Sequence, residues 1–289
     1  MTKEEFRKLT EQVVLLDGAT GSNLMASGMP RGICTETWVI DHKEIIQNLQ
    51  RSYLQAGSQI IYAPTFGGNR LNLEKHGLAD RIKEINCTLV NYAKELAADG
   101  VYIAGDITTS GSFIADDGDY TYEDAFQMYQ EQISILAEAG VDLLVAETMI
   151  NIEETLAAVD AAASVCDLPI MCTMTVEADG SIFSGGNAVE AALSLEAAGA
   201  DAVGINCSVG PDQLVSVVRS IHEAVSIPVI AKPNAGMPVI DDNGMAVYNM
   251  SPDAFASHMK VLIENGASIV GGCCGTTPAF IKALHDAVR

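Results

Sequence analysis

Apolar residues in this chain come in short unbroken runs, and between the runs they recur at helical spacing. The runs cover residues 13–16, 60–65, 101–107, 143–148, 170–175, 202–207, 228–234 and 268–274. Short runs of consecutive apolar positions read as strands buried on both faces, as in a parallel sheet covered by helices. The helix-period stretches cover 45–56, 82–98, 122–139, 152–165, 188–198, 211–225 and 252–265. Several run into a glycine just before the next strand, at Gly57, Gly140, Gly199 and Gly266, where a C-cap is expected. Thr2 with Glu5 matches a capping box, and a short amphipathic helix over 2–12 is expected to cover the bottom of the sheet that the runs build. Eight strand–helix units of similar weight predict an α/β chain folded as a single (β/α)8 TIM barrel, residues 1–289, with a short N-terminal helix. A doubly wound open sheet is the competing architecture, and no dinucleotide fingerprint supports it.

In such barrels the chemistry sits at the C-terminal ends of the strands. The polar residues ending these runs are Asp17, Thr65, Asp106, Glu147, Asn206, Cys207, Asn234, Cys273 and Cys274, and they are expected to ring one mouth. The last run leads into Gly271-Gly272-Cys273-Cys274-Gly275-Thr276-Thr277-Pro278. Thr277-Pro278 reads as the N-cap and first position of a helix, so the cysteine pair falls between a buried strand and a helix. Adjacent strand side chains point to opposite faces, so two neighbouring thiols share one ion only where the chain leaves the strand, and the flanking glycines permit that.

A lone cysteine pair is more often two small buried hydrophobes, and a bridge between adjacent residues is strained. The third thiol, Cys207, ends the sixth run and tips the reading. Cys207, Cys273 and Cys274 are the expected ligands of one Zn2+ that keeps a fourth position open. Three thiolates make such a zinc a poor Lewis acid but suit it to holding a fourth thiol as thiolate, ready for alkylation. A closed structural site with a fourth protein ligand is the alternative. Cys34, Cys87, Cys166 and Cys172 lie outside the strand ends or inside runs and are expected to do no chemistry.

Asp17 and Glu147 end the first and fourth runs. Two carboxylates near one site suit a substrate ammonium. They also suit general acid/base work or helix N-capping. The loop Asp17-Gly18-Ala19-Thr20-Gly21 offers backbone N–H groups for a carboxylate. Together these features describe recognition of a free amino acid that carries a thiol, with Asn206 counted among the substrate-binding residues.

Composition narrows the field. A net charge of −22, from 38 acidic against 16 basic residues, argues against a nucleic-acid partner. No apolar stretch reaches the ~18 residues of a membrane span, and the charged start lacks the apolar core of a secretory signal. Seven cysteines, an odd number, do not form a disulfide framework. A cytoplasmic chain with no membrane partner is expected. The histidines fall mainly on predicted helices, where surface roles are expected.

These residues resemble the homocysteine S-methyltransferase domain family, and most closely the N-terminal homocysteine-binding module of cobalamin-dependent methionine synthase. The resemblance spans essentially the whole chain. Its carriers are Leu16-Asp17-Gly18-Ala19-Thr20-Gly21, Gly57-Ser58, Thr65-Phe66-Gly67, Glu147-Thr148, Gly204-Ile205-Asn206-Cys207-Ser208, Lys232-Pro233-Asn234-Ala235-Gly236 and the glycine–cysteine block at 271–278. It implies a zinc-dependent enzyme that methylates homocysteine to methionine. It implies zinc on Cys207, Cys273 and Cys274 with the homocysteine thiol as fourth ligand, and Asn234 in that position when substrate is absent. It also implies that Asp17 and Glu147 hold the amino group and that backbone amides near Ala19 and Thr20 hold the carboxylate.

One stretch departs from the family pattern. Where methionine synthase modules look like Gly-Asp-Ile-Gly-Pro, this chain reads Gly105-Asp106-Ile107-Thr108-Thr109-Ser110-Gly111. The loop after it carries Asp116, Asp117 and Asp119 and is expected to overhang the mouth. The sequence holds no cobalamin signature, and the chain ends at Arg289 within the final barrel helix. A methylated corrinoid protein is the expected donor, with cobalamin only on that separate partner, and a small sulfonium or ammonium compound is the alternative. Two other readings compete: a corrinoid-linked methyltransferase acting on another thiol or methylated compound, and a non-catalytic zinc- or thiol-binding subunit.

Overall fold

The computed structural model describes residues 1–112, 114, 120–240 and 246–289. Asp116, Asp117 and Asp119 of the acidic loop after the third run lie outside the described residues. Eight parallel strands form one sheet: β1 Val14–Leu15, β2 Ile60–Tyr62, β3 Tyr102–Ile107, β4 Leu143–Met149, β5 Ile170–Met174, β6 Ala202–Cys207, β7 Val229–Pro233 and, as the eighth barrel strand, β10 Ala267–Val270. A two-stranded antiparallel hairpin, β8 Val239–Ile240 and β9 Ala246–Val247, is inserted after β7. Around the sheet the order is β1-β10-β7-β6-β5-β4-β3-β2, so the two ends are sequence neighbours.

Side chains and a single backbone bond draw those ends together. Gln59 N–H donates to Leu15 O at 2.7 Å, and Leu15 N–H donates to Gln59 Oε1 at 3.3 Å. Tyr62 N–H donates to Asp17 Oδ2 at 2.8 Å, where a ladder would have used a carbonyl. The nearly closed sheet and its surrounding helices form the expected (β/α)8 barrel.

Alternation within the strands sorts the core into two layers. Val14, Leu16, Ile60, Tyr62, Ala104, Leu143, Val145, Met171, Ala202, Ile230 and Ile269 pack together, and Phe6 joins them. Phe6 belongs to the N-terminal helix Lys3–Leu9, whose Thr2–Glu5 capping box is formed. The intervening residues, among them Leu15, Ile61, Ile103, Leu144, Val203, Val229 and Val270, pack with the helices instead. Period two then continues past the inner layer. Asp106, Glu147 and Lys232 each stand two residues beyond an inner-layer residue, at Ala104, Val145 and Ile230. Charged side chains thus follow apolar ones upward along the same face.

Several boundaries differ from the sequence reading. The eighth strand ends at Val270, so the cysteine pair lies wholly in the following loop. The stretch expected as one helix over 211–225 is a 3-10 turn, Pro211–Gln213, followed by Val215–Ala224. The expected helix over 82–98 stops at Lys94. Short helices Gly21–Ala26, Thr35–Asp41 and Arg70–Glu74 lie outside the helix-period stretches. Gly57, Gly140 and Gly199 are left-handed C-caps, and Gly266 also has positive φ. Among the described residues no helix is long and apolar enough to cross a membrane.

Candidate metal centre

The chain reaches β6 and the loop after β10 by separate routes, yet their thiols meet. The Sγ atoms of Cys207, Cys273 and Cys274 all lie within 4.8 Å of one another, and Cys207 stands 3.8 Å from Cys274. These are the three thiols the sequence nominated. All seven cysteines are free, and the other four stay out of the cluster. One of those, Cys34, nonetheless lines the same cavity.

Local backbone strain aims the thiols. Cys207 and Ser208 have φ of 56° and 62°, and Thr148 at the end of β4 has φ of 58°. Such left-handed values cost about 1–3 kcal/mol at a non-glycine residue and persist only where neighbours enforce them. Asn206 ties the ends of β6 and β4 together. Its Oδ1 accepts from Thr148 N–H at 2.8 Å, and its Nδ2 donates to Thr148 Oγ1 at 2.7 Å. Ser208 Oγ accepts from Val176 N–H at 2.9 Å and donates to Asn206 O, while Asn234 Nδ2 donates to Ser208 O at 3.1 Å.

The loop carrying the cysteine pair is tied down on both sides. Cys273 N–H donates to Pro233 O at 2.7 Å, and Ala235 N–H donates to Cys274 O at 2.9 Å. Thr276 Oγ1 donates to Cys273 O and accepts from Ala19 N–H at 3.0 Å. Gly275, with φ of +82°, lies against the ring of Tyr248, where a Cβ would come within 2.3 Å. Hydrogen bonds from Cys207 first, and Cys273 next, pull the Cys274 thiol well below the ordinary thiol range, while hydrogen bonds to Cys273 and Cys274 push Cys207 up and Cys273 is raised as well, so the cluster favours one thiolate, on Cys274.

Beside the thiols lies a buried charge cluster. Lys232 Nζ stands 2.9 Å from Glu147 Oε1, 3.5 Å from Asp17 Oδ1 and 4.6 Å from the ring centroid of Tyr62. Burial works to neutralise the ammonium, but the carboxylates of Glu147 and Asp17 hold its pKa well above the ordinary lysine value. Burial raises Asp17 to about 6, with Lys232 pulling the other way. Glu147 is raised by burial against the same opposition. Asp106 is raised well above the carboxylate range by burial and then by Glu147.

A cavity of about 680 Å3 opens over this floor. Asp106, Glu147, Lys232, Cys207, Cys273 and Cys274 line its base, and Met25, Ile33, Phe66 and Tyr248 belong to its apolar wall. Ala19 and Thr20 line it too, whereas Asp17, Thr65, Asn206 and Asn234 are not among the lining residues described. Ala19 N–H is engaged by Thr276. Thr20, Gly21 and Ser22 begin a short helix, where backbone N–H groups lack intrahelical acceptors. Asn206 donates to Cys273 Sγ at 3.8 Å. Asn234 keeps a buried Oδ1 that accepts no hydrogen bond.

Lys232 is the residue of this charge cluster that sequence reasoning did not nominate, although it stood inside a quoted motif. The signal was present: a lysine at the end of an otherwise apolar run is rarely buried unless paired.

Fold and site together define a (β/α)8 barrel whose strand ends gather three thiols beside buried carboxylates. The chain belongs to the homocysteine S-methyltransferase family, which matches residues 14–288. It is 30% identical to methionine synthase of Mycobacterium tuberculosis (strain ATCC 25618 / H37Rv), over 97% of this chain and 25% of that protein. It is 29% identical to methionine synthase of Mycobacterium leprae (strain TN), over 97% of this chain and 24% of that protein. The chain thus spans about a quarter of the length of these relatives. Among solved structures, the metallated form of homocysteine methyltransferase MmuM from Escherichia coli shares the fold, with a TM-score of 0.80 at 23% identity, covering 97% of this chain and 99% of that one.

Proposed function

We propose that this chain moves a methyl group onto the thiol of homocysteine to give methionine, with one zinc ion held by Cys207, Cys273 and Cys274. The observation that carries the reading is the meeting of three thiols from two remote segments at the base of a cavity beside buried carboxylates. Two sulfurs about 2.3 Å from one tetrahedral zinc stand roughly 3.8 Å apart, and the Cys207–Cys274 separation is 3.8 Å. Bound there, zinc supplies one thing: it holds the acceptor thiol as thiolate at neutral pH.

The chain's own residues do the rest. Asp17 and Glu147 receive the acceptor's ammonium group, and the N–H groups from Thr20 onward receive its carboxylate. Asn206 donates to Cys273 Sγ and stabilises charge on that sulfur. Asn234 has an unsatisfied Oδ1 with which to occupy the fourth position before the acceptor arrives. Methyl transfer then needs only an in-line approach. A sulfur lone pair forms the new S–CH3 bond while the bond from methyl to donor breaks, its electron pair leaving with the donor. The proposed donor is a methylated corrinoid protein, with cobalamin on that partner. The apolar outer wall leaves space above the floor for its approach. Thiols that must stay reduced suit a reducing compartment such as the cytoplasm.

Purified protein is expected to hold one zinc per chain and to methylate homocysteine from one of a panel of donors: methylcobalamin, a methylated corrinoid protein, S-methylmethionine, S-adenosylmethionine or betaine. Cys207→Ala and Cys273→Ala are expected to lose zinc and lower transfer by more than about 100-fold, since losing even an outer-shell partner of a metal costs 10–100-fold. Full activity after chelation to zero zinc contradicts the reading. Tight zinc binding without turnover on any donor points to a binding subunit instead.

A further inference from the structure

Lys232 is a buried cation for which methyl transfer has no direct use. Its side chain is 3% exposed, on a strand whose neighbouring residues Val229, Ile230 and Ala231 are apolar and buried. Burying an ammonium is costly unless it is paired, so a position needed only for packing is served better by an apolar residue. We infer that Lys232 is a positioning residue, holding Asp17 and Glu147 in the orientation that receives the acceptor's α-ammonium group. The inference deepens the homocysteine reading and rests on it.

Three features carry it. First, Lys232 spans the barrel. Asp17 follows β1, Glu147 lies on β4 and Lys232 on β7; none of these strands pairs with another of the three, yet Lys232 Nζ reaches both carboxylates. Second, Lys232 is what these oxygens face. Asp17 Oδ2 is fixed by Tyr62 N–H, whereas Asp17 Oδ1 and Glu147 Oε1 stand 3.5 and 2.9 Å from Lys232 Nζ with no other donor among the described residues. Third, charge does not balance within the cluster. Asp17 and Glu147 are both buried against one ammonium. One lysine holds the carboxylates together against their mutual repulsion and leaves negative charge for a second cation. An amino acid brings that cation, and a thiol without an amino group does not.

A residue that merely stabilises the fold would affect every acceptor thiol alike. A residue that sets the ammonium clamp acts selectively on acceptors with an amino group. The test is calorimetric binding of L-homocysteine and of 4-mercaptobutanoate, its amino-free analogue, to zinc-loaded wild type, Lys232→Met and Lys232→Gln. Wild type is expected to prefer homocysteine by roughly tenfold or more. Both variants are expected to erase most of that preference while zinc stays at one per chain and binding of the amino-free thiol changes by less than about threefold. Equal weakening of both thiols, or an unchanged or stronger preference for homocysteine in the variants, overturns the inference. A wild type that binds neither thiol removes the homocysteine reading itself and is separable from those outcomes. Should both variants fail to fold, a crystal structure of the wild type with homocysteine decides. Lys232 is expected to keep contact with both carboxylates while the ammonium sits against them, and its displacement from either carboxylate overturns the role.

Discussion

At the scale of single residues, the site depends on side chains held against their own preferences. Cys207 accepts a left-handed backbone, and Asp17 a buried charge held by Tyr62 N–H and faced by Lys232. The Asp17 carboxyl, raised to about 6 chiefly by burial, is ionised above that pH and neutral below it. Its attraction for an ammonium is therefore present above pH 6 and is lost as pH falls through 6. The preference for homocysteine over its amino-free analogue is expected to fall on acidification, by up to tenfold per unit. Taking the ratio cancels any protonation of the metal-bound thiols, which both ligands share. Asp17→Asn is expected to make the fall shallower, with Glu147, also raised by burial, still titrating beside the ammonium, and a ratio constant from pH 8 to 5 in the wild type contradicts the role of Asp17. Asn206→Ala removes both bonds to Thr148 and the donor to Cys273 Sγ. It is expected to weaken zinc binding by about 10–100-fold, measured by competition with a chelator. The thiols and carboxylates could be nominated from sequence because reactive residues at the ends of apolar runs have few structural uses. The part played by Lys232 could not, since its partners come from strands far apart in the chain. Nor could sequence reveal that Thr276 takes the Ala19 N–H.

At the scale of elements, the thiol geometry is set by how closely β6 and β7 approach. Gly204 faces Ile230, where a Cβ would meet the carbonyl oxygen at 2.0 Å. The absence of a side chain lets the strands pair in the register that sets Asn206 beside Lys232 and Cys207 beside Pro233. Gly204→Ala is expected to force the strands apart at a cost of about 1–3 kcal/mol. That would appear as a Tm several degrees lower, with weaker zinc retention because Cys207 moves. An unchanged Tm and zinc content would show that the close approach is not needed. Periodicity located the strands because burial on both faces leaves an unmistakable apolar run. It missed the helices at 21–26, 35–41 and 70–74, which are too short to show a period, and the hairpin of β8 and β9, whose strands are two residues each. The overlong reading at 211–225 has a similar cause. Pro211 suits a helical first turn, but here that turn is 3-10 and the α-helix restarts at Val215.

At the scale of the whole molecule, eight alternating units sufficed for the barrel, and the barrel rule carried nominated residues to one end. Parallel pairing of both β6 and β10 with β7 is what brings Cys207 to Cys273 and Cys274. The donor stayed illegible for a physical reason. An attacking thiolate needs an open approach to the methyl group, and an open approach leaves few specific contacts in the acceptor's barrel. The central claim is that three protein sulfurs hold one zinc and leave a place for a fourth sulfur from the acceptor. Zinc K-edge X-ray absorption of the zinc-loaded protein, before and after adding L-homocysteine, tests it most directly. The account predicts three sulfurs and one lighter ligand before addition and four sulfurs after it, whereas a sulfur count that does not change on addition would contradict it.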